Sequence, residues 1–308
     1  MKTFVAEKMP ELFWHEIKQN GWESYFSTLN KKEAEIVIIR TQTKANSVFF
    51  DQFPKMKMII RAGTGFDNID LAEAKGKNII VCNTPEANAI SAYEHTMSFI
   101  FALLKQHQIS ENNLLSGNWK SGLQNNWELS ELKALIVGVG RVGTKVATAL
   151  RFFGANVKGV DPYLTKEEWD DKQIDAISFE EGLSWCNLLS FHCPLTPKSF
   201  HMFGGSILAF FQNPLWLINT ARGKIVDINA VEQGLRSNKI LGFATDVFEN
   251  EPPDSLDFFK SENVLITPHV GSFTKSAKKR MSLETLQVWK AYISSGKVLN
   301  DIAKLKYL

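Results

Sequence analysis

The sequence predicts an α/β protein of two domains, each built on a parallel β-sheet. Three observations carry that expectation. The chain has 308 residues, a length that suits two domains. Short apolar runs alternate with helical or polar stretches, the pattern of strands joined by crossover helices. One run, ALIV at 134–137, leads straight into a glycine loop and a helix.

The elements follow in order. EIVIIR at 35–40, KMKMIIRAG at 55–63 and NIIVCN at 78–83 are the first strand candidates. A helix around 66–76 lies between the second and third and is closed by Gly76. From Ala89 to about His107 the apolar residues Tyr93, Met97, Ile100, Phe101 and Leu104 fall at helical spacing and predict one long helix. ENNLLSGNWKSGLQNNW at 111–127 breaks any period with Gly and Asn and marks a crossing into the second domain. That domain opens at ALIVGVGRVG, 134–143, continues as a helix to about Phe153, and reaches a strand at NVKGVD, 156–161. NLLSFH, WLINTA, ILGFATDVF and NVLITPH are further strand ends of a doubly wound sheet. The tail at 274–293 is a helix with Met281, Leu283, Leu286, Trp289 and Ile293 toward one side, placed to return to the first domain.

Composition narrows the function. The formal charge is +2, with 35 basic against 33 acidic residues interspersed, so nothing calls for nucleic acid or a membrane as partner. The opening residues lack a long apolar stretch, which predicts no signal peptide. No run reaches the length of a transmembrane helix. Cys82, Cys186 and Cys193 are widely spaced and odd in number, which suits a reducing, cytoplasmic setting. His95, His107, His192 and His201 show no zinc spacing, and the expectation is no metal.

Gly138, Gly140 and Gly143 form GxGxxG in the setting that gives the motif meaning: apolar strand before, helix after. The first glycine permits a tight turn, the second a close approach of backbone to a pyrophosphate, the third close helix packing. N–H groups at the helix start face the phosphates. Asp161 ends the next apolar run, 23 residues after Gly138. A carboxylate there accepts both adenosine ribose hydroxyls and repels a 2′-phosphate, which favours NAD over NADP. Taken alone, the unit also suits a flavin, another nucleotide or S-adenosylmethionine.

Arg222 in INTARGKIVD, Glu251 in DVFENEPP and His269 in VLITPHVG stand at strand ends, where open parallel sheets bind ligands. Arg offers a planar fork for a carboxylate, His exchanges a proton near neutral pH, and Glu fixes its tautomer. A 2-hydroxy acid needs a carboxylate clamp and a proton partner. Each residue also has a plainer reading as a turn or cap residue. His192, in FHCPLTP, competes for the catalytic role. Arg40 and Arg61 end neighbouring strand candidates, so their guanidinium groups can meet one anion.

RAGTGFDNID at 61–70, NTPEANAISAYEHT at 83–96, VGVGRVG at 137–143, HCPLTPKS at 192–199, INTARGKIVD at 218–227, DVFENEP at 246–252 and TPHVGSFTKSA at 267–277 together resemble the D-2-hydroxyacid dehydrogenase family. The likeness is greatest to its branch that oxidises D-3-phosphoglycerate. It implies two Rossmann-like doubly wound domains with NAD and substrate in the cleft between them. The substrate domain is then discontinuous, 1–98 plus 277–308, around an NAD-binding domain at 99–276. The resemblance makes His269 the acid/base, Glu251 its carboxylate partner and Arg222 the substrate clamp. It makes backbone N–H groups at Gly63, Thr64 and Gly65 a second carboxylate site, with Thr64 also on the cofactor side. Arg141 and Val142 lie over the pyrophosphate, His192, Thr220 and Asp246 line the adenine or nicotinamide side, and Thr96 approaches the nicotinamide. Arg40 and Arg61 are the implied phosphate ligands, with Lys120 of the partner subunit as a third. A homodimer through the NAD domains is implied as well.

The sequence departs from the family pattern in the connector. W-x-R-x-x-F-x-G is usual there, whereas this chain runs from Trp119 and Lys120 through Ser121, Gly122, Leu123, Gln124 and Asn125 to Asn126. SAYEH replaces a smaller-residue run, and with the chain ending at Leu308 no C-terminal regulatory domain is expected. An unphosphorylated 2-hydroxy acid, such as hydroxypyruvate or glyoxylate chemistry requires, is the nearest alternative. A non-catalytic NAD-sensing corepressor is the remote one.

Overall fold

The computed structural model describes residues 1–27, 30–120, 123 and 126–308. Ser121, Gly122, Gln124 and Asn125 of the divergent connector lie outside the described residues. The chain forms two compact units, Met1–Ala89 with Phe273–Leu308, and Ile90–Ser272.

The first unit holds five parallel strands: β1 (Thr3–Val5), β2 (Phe26–Ser27), β3 (Ile36–Ile39), β4 (Met58–Arg61) and β5 (Ile80–Asn83). Their order is β2-β1-β3-β4-β5. Both faces are covered, so the central strands are continuous apolar runs, not alternating ones. Ile36, Ile38, Met58 and Ile60 point to one face, where Phe13 and Ile17 of α1 (Glu11–Gln19) pack with Trp289. Val37, Ile39 and Ile59 point to the other, against Phe50 of α2 (Ser47–Phe50) and Ala74 of α3 (Leu71–Gly76). The side chain of Asp70 caps α3 by accepting the Glu73 N–H at 3.0 Å, worth about 1 kcal/mol.

α4 (Ala89–Leu104) leads into the second unit, and α5 (His107–Leu115) follows it. The sequence predicts one helix from Ala89 to about His107. The structure breaks it at Gln106, whose backbone is left-handed, and starts α5 immediately after. The 111–127 stretch is therefore not aperiodic from its beginning. α5 buries none of its residues, so it carries no apolar stripe for the sequence to show.

The second unit holds β6 (Lys133–Val137), α6 (Arg141–Phe152), β7 (Asn156–Val160), α7 (Lys166–Lys172), β8 (Asp175–Ala176), α8 (Phe179–Trp185), β9 (Leu188–Phe191), β10 (Leu215–Asn219), α9 (Ile228–Arg236), β11 (Ile240–Thr245) and β12 (Val264–Ile266). The seven strands are parallel in the order β12-β11-β10-β9-β6-β7-β8. The winding reverses between β6 and β9, and a crevice forms outside the carboxyl ends of strands at such a point. Leu135, Val137, Leu189 and Phe191 face Leu183 and Val231 on one side of the sheet. Ala134, Ile136 and Leu188 face Ile100, Leu104, Val146 and Leu150 on the other.

The expected boundaries, 98 and 277, differ from those of the units for a physical reason. Met97 already packs into the second core, and His95 and Thr96 hydrogen-bond to Thr267 and Thr220 there. At the far end, Thr274 caps α10 (Lys275–Ser295), and the Lys278 ammonium lies 3.7 Å from the centre of the Phe273 ring. In α10, Met281, Leu286 and Trp289 are buried as expected, but Leu283 is exposed. Ser282 and Thr285 take the inward positions beside them, since small hydroxyl side chains bond back to the helix.

Candidate active site

The glycine loop sits at the reversal point of the second sheet. Gly138 has φ of +91°, and a Cβ there would meet Cys193 N at 2.5 Å, so the loop after β6 lies directly on the loop after β9. Gly143 is equally constrained, because its Cβ would fall 2.0 Å from the Gly138 carbonyl oxygen. Gly140 is different: a Cβ there would have no protein atom within 4 Å. It is the exposed N-cap of α6, and no side chain caps that helix. Open space beside an uncapped helix start is what a pyrophosphate needs. Arg141 is exposed and Val142 half-buried on the first turn.

Asp161 follows β7. Its Oδ2 accepts the Val139 N–H at 3.0 Å and its Oδ1 the Tyr163 N–H at 3.1 Å. The carboxylate thus holds the glycine loop, and each oxygen keeps lone-pair capacity for a ribose hydroxyl. This chain therefore fits a dinucleotide.

His269 and Glu251 meet. Nδ1 of the imidazole is 2.7 Å from Glu251 Oε2, and Glu251 Oε1 accepts the Phe248 N–H at 3.1 Å. Burial alone would raise the Glu251 carboxyl, but the His269 hydrogen bond and charge, the Phe248 N–H and the Arg222 charge together hold it below the usual range. A carboxylate on Nδ1 places the ring hydrogen there and leaves Nε2 as the proton acceptor. Arg222 stands on the neighbouring loop, its Nη1 donating to the Ala221 carbonyl at 2.6 Å. Asn219 shapes that loop, accepting the Ala221 N–H at 3.1 Å and donating to the Arg222 carbonyl at 2.9 Å. Gly223 lets the two loops touch, since a Cβ there would be 2.0 Å from the Phe248 carbonyl carbon.

The other expected residues of this unit have the following surroundings. His192 Nε2 lies 2.8 Å from the Ser190 hydroxyl, and burial pushes the ring down to about 3. Thr96 is fully buried. Its hydroxyl donates to the Ala92 carbonyl at 2.8 Å and so accepts from Thr220, also at 2.8 Å, which ties α4 to the end of β10. Asp246 is buried too, and its carboxylate faces the 267–271 loop: Oδ1 accepts from Thr267 and Val270, Oδ2 from Gly271. Burial acts to raise it, yet those donors and His95 hold it below the carboxylate range. Lys120 is exposed.

The first unit carries the other group. Arg61 ends β4 beside Ile39 of β3, which Arg40 follows. Arg61 Nη2 is 3.3 Å from the Thr41 hydroxyl, and Arg40 Nη1 donates to the Lys8 carbonyl at 2.9 Å. Gly63 makes room for Arg61, because a Cβ there would fall 1.5 Å from its Nη1. Thr64 is exposed, and the Thr64 carbonyl accepts from Asn83 at 2.7 Å, fixing the loop that ends in Gly65. Glu7 was missed from sequence. Its carboxylate accepts the N–H groups of Arg40, Gln42 and Thr43 at 2.7, 3.2 and 3.0 Å, and despite burial the Thr43 side chain and these N–H groups hold it below the usual range.

The NAD-binding domain of the D-isomer specific 2-hydroxyacid dehydrogenases matches residues 97–271, more than half of the chain. The chain belongs to that family and carries its NAD-binding domain. D-3-phosphoglycerate dehydrogenase of Methanocaldococcus jannaschii is 34% identical over 249 residues, 80% of this chain and 48% of its own length. The human D-3-phosphoglycerate dehydrogenase is 32% identical over 277 residues, 90% of this chain and 52% of its own. The chain thus spans about half the length of the curated relatives it matches. The D-lactate dehydrogenase of Aquifex aeolicus, solved with NAD and lactic acid, superposes with a TM-score of 0.82 at 26% identity, covering 96% of both chains. No helix among the described residues is long and apolar enough to cross a membrane.

Proposed function

We propose that this chain oxidises D-3-phosphoglycerate to 3-phosphohydroxypyruvate with NAD, the entry to serine synthesis. The observation that carries the chemistry is the His269–Glu251 pair at 2.7 Å, on the loops beside Arg222. The names of the matched relatives, and two arginines at adjoining strand ends, support the phosphorylated substrate.

Bound on the glycine loop, NAD supplies the acceptor for the hydride from C2. His269 Nε2 takes the hydroxyl proton, so the C2–O bond becomes a carbonyl. Glu251 keeps the ring oriented and stabilises it once protonated. Arg222 grips the carboxylate and polarises the oxygen, with the Gly63–Gly65 N–H groups as second support. Arg40 and Arg61 take the phosphate, with Lys120 of the partner subunit reaching the same group. Asp161 selects NAD over NADP. The enzyme works as a cytoplasmic homodimer joined through its NAD domains.

An unphosphorylated acid is the second reading. It is favoured by the absence of the usual basic residue two places after Trp119, and by the Arg40 bond to the Lys8 carbonyl. A substrate panel with NAD⁺ and NADP⁺, run on wild type and on Arg40→Ala and Arg61→Ala, separates them. The phosphoglycerate reading expects each variant to raise KM for 3-phosphoglycerate far more than KM for NAD, with little change on unphosphorylated acids. Wild-type preference for glycerate or lactate, or normal KM in both variants, refutes it and leaves the dehydrogenase reading standing.

A further inference from the structure

His269 has φ of +53°, a left-handed backbone that a non-glycine residue adopts only when its surroundings hold it there. The holding group is the buried Asp246 carboxylate. It receives the N–H groups of Val270 at 2.8 Å and Gly271 at 2.7 Å, the two residues directly after His269. It also receives the Thr267 hydroxyl at 2.5 Å, two residues before. That bond uses the only hydrogen on Thr267 Oγ1, so toward any other partner this oxygen accepts. The partner is His95 Nε2 on α4, at 2.8 Å, and it must be the donor. The same nitrogen lies 3.5 Å from Asp246 Oδ1. The His95 ring is itself fixed, edge-on to Phe99 with centroids 4.6 Å apart. Gly271 packs against this assembly, since a Cβ there would be 2.9 Å from Asp246 Oδ2 and 3.4 Å from His95 Cδ2.

We infer that His95 is a positioning residue for the oxidation: through Thr267 and Asp246 it holds the 267–271 loop in the shape that presents the His269 imidazole. The inference rests on the reading of His269 as proton acceptor. A helix residue far away in sequence thereby sets the aim of the base without touching substrate. The neighbouring bonds to Val270 and Gly271 hold the backbone after His269, and the His95–Thr267 bond holds it before.

The test uses the full chain and two readouts. His95→Phe keeps a ring against Phe99 and removes the donor; His95→Gln keeps an N–H of similar reach. The expected result for His95→Phe is a fall in kcat of about tenfold, the effect of one lost hydrogen bond, with KM for NAD unchanged. Amide exchange at Val270 and Gly271 quickens in the same variant, and His95→Gln restores both. Thr267→Val, made in parallel, removes both hydroxyl bonds at similar volume and should match His95→Phe, so a misfolded ring variant does not stall the test. Wild-type kcat in these variants, or faster exchange with no change in kcat, overturns the inference. If instead His269→Ala keeps full turnover, the reading of the base fails, while the exchange data still report whether His95 holds the loop.

Discussion

Two glycines of the same loop should fail in different ways. In Gly143→Ala the new Cβ would sit 2.0 Å from the Gly138 carbonyl oxygen, where about 3.5 Å is comfortable. The loop and α6 must separate by roughly 1.5 Å, and neither is a flexible side chain end. Overpacking of this kind costs about 1–3 kcal/mol. At roughly 3 °C for each kcal/mol in a domain of this size, the melting temperature of the protein without cofactor should fall by about 3–9 °C. NAD affinity should fall with it. In Gly140→Ala the Cβ meets no protein atom, and φ of −82° with ψ of −152° is open to alanine. Stability should stay within about 0.5 kcal/mol of wild type. The methyl group would instead occupy the space left for the pyrophosphate, and Kd for NAD should rise about tenfold, some 1.4 kcal/mol. Thermal unfolding without cofactor and calorimetric titration with NAD measure the two effects separately. Wild-type affinity in Gly140→Ala, or an equal loss of melting temperature in both variants, would show that the loop is a structural turn and not a cofactor cradle.

Other consequences are equally measurable. His269→Ala should lower turnover about 10²- to 10⁴-fold with NAD binding nearly intact, and near wild-type turnover would dismiss the base. Glu251→Gln should lower turnover at least about tenfold, since the ring loses the carboxylate that orients it at 2.7 Å; unchanged turnover would mean that the pair does not act together. Asp161→Ala should narrow the preference in kcat/KM for NAD over NADP, and an unchanged ratio would free that carboxylate of the role. Asp246 and Glu251 are held below their ordinary values of 3.8 and 4.5, so both stabilise the fold above that range and the contribution is lost as pH falls through their lower folded values. Acid unfolding of Asp246→Asn should therefore show a shallower pH dependence than wild type, and identical curves would count against the hydrogen-bond account.

Much of this was legible in the chain itself. Strands of four or more apolar residues, such as β3 and β10, announce themselves because both faces of a parallel sheet are dry. β1, β2 and β8 have three, two and two residues, too few for a pattern. α7, KEEWDDK, buries none of its residues and gives no stripe. His269, Glu251 and Arg222 could be found because each sits in a local motif at a strand end. His95 could not: its partner Thr267 is 172 positions away, and only the folded sheet brings them together. Glu7 was hidden for the same reason, 33 positions from the Arg40 N–H it receives. Thr96 and Asp246 sit in local motifs, but their hydrogen bonds to Thr220 and to the 267–271 loop likewise join segments that only the fold brings together.

The indole N–H of Trp289 donates to the Thr3 hydroxyl at 2.9 Å across 286 positions of sequence. Around that ring lie Trp22, Tyr25 and Phe26, all from the first strands and turns. During synthesis β1 leaves the ribosome long before α10 does. The sheet of the first unit must wait, one face covered only by α1, while the whole of the second unit emerges. That unit is contiguous, Ile90–Ser272, and its sheet and covering helices are complete before Trp289 appears. Birth order and folding order are thus reversed between the two units, and a nascent chain halted before α10 would expose Phe13 and Ile17 to any chaperone that reads bare apolar surface.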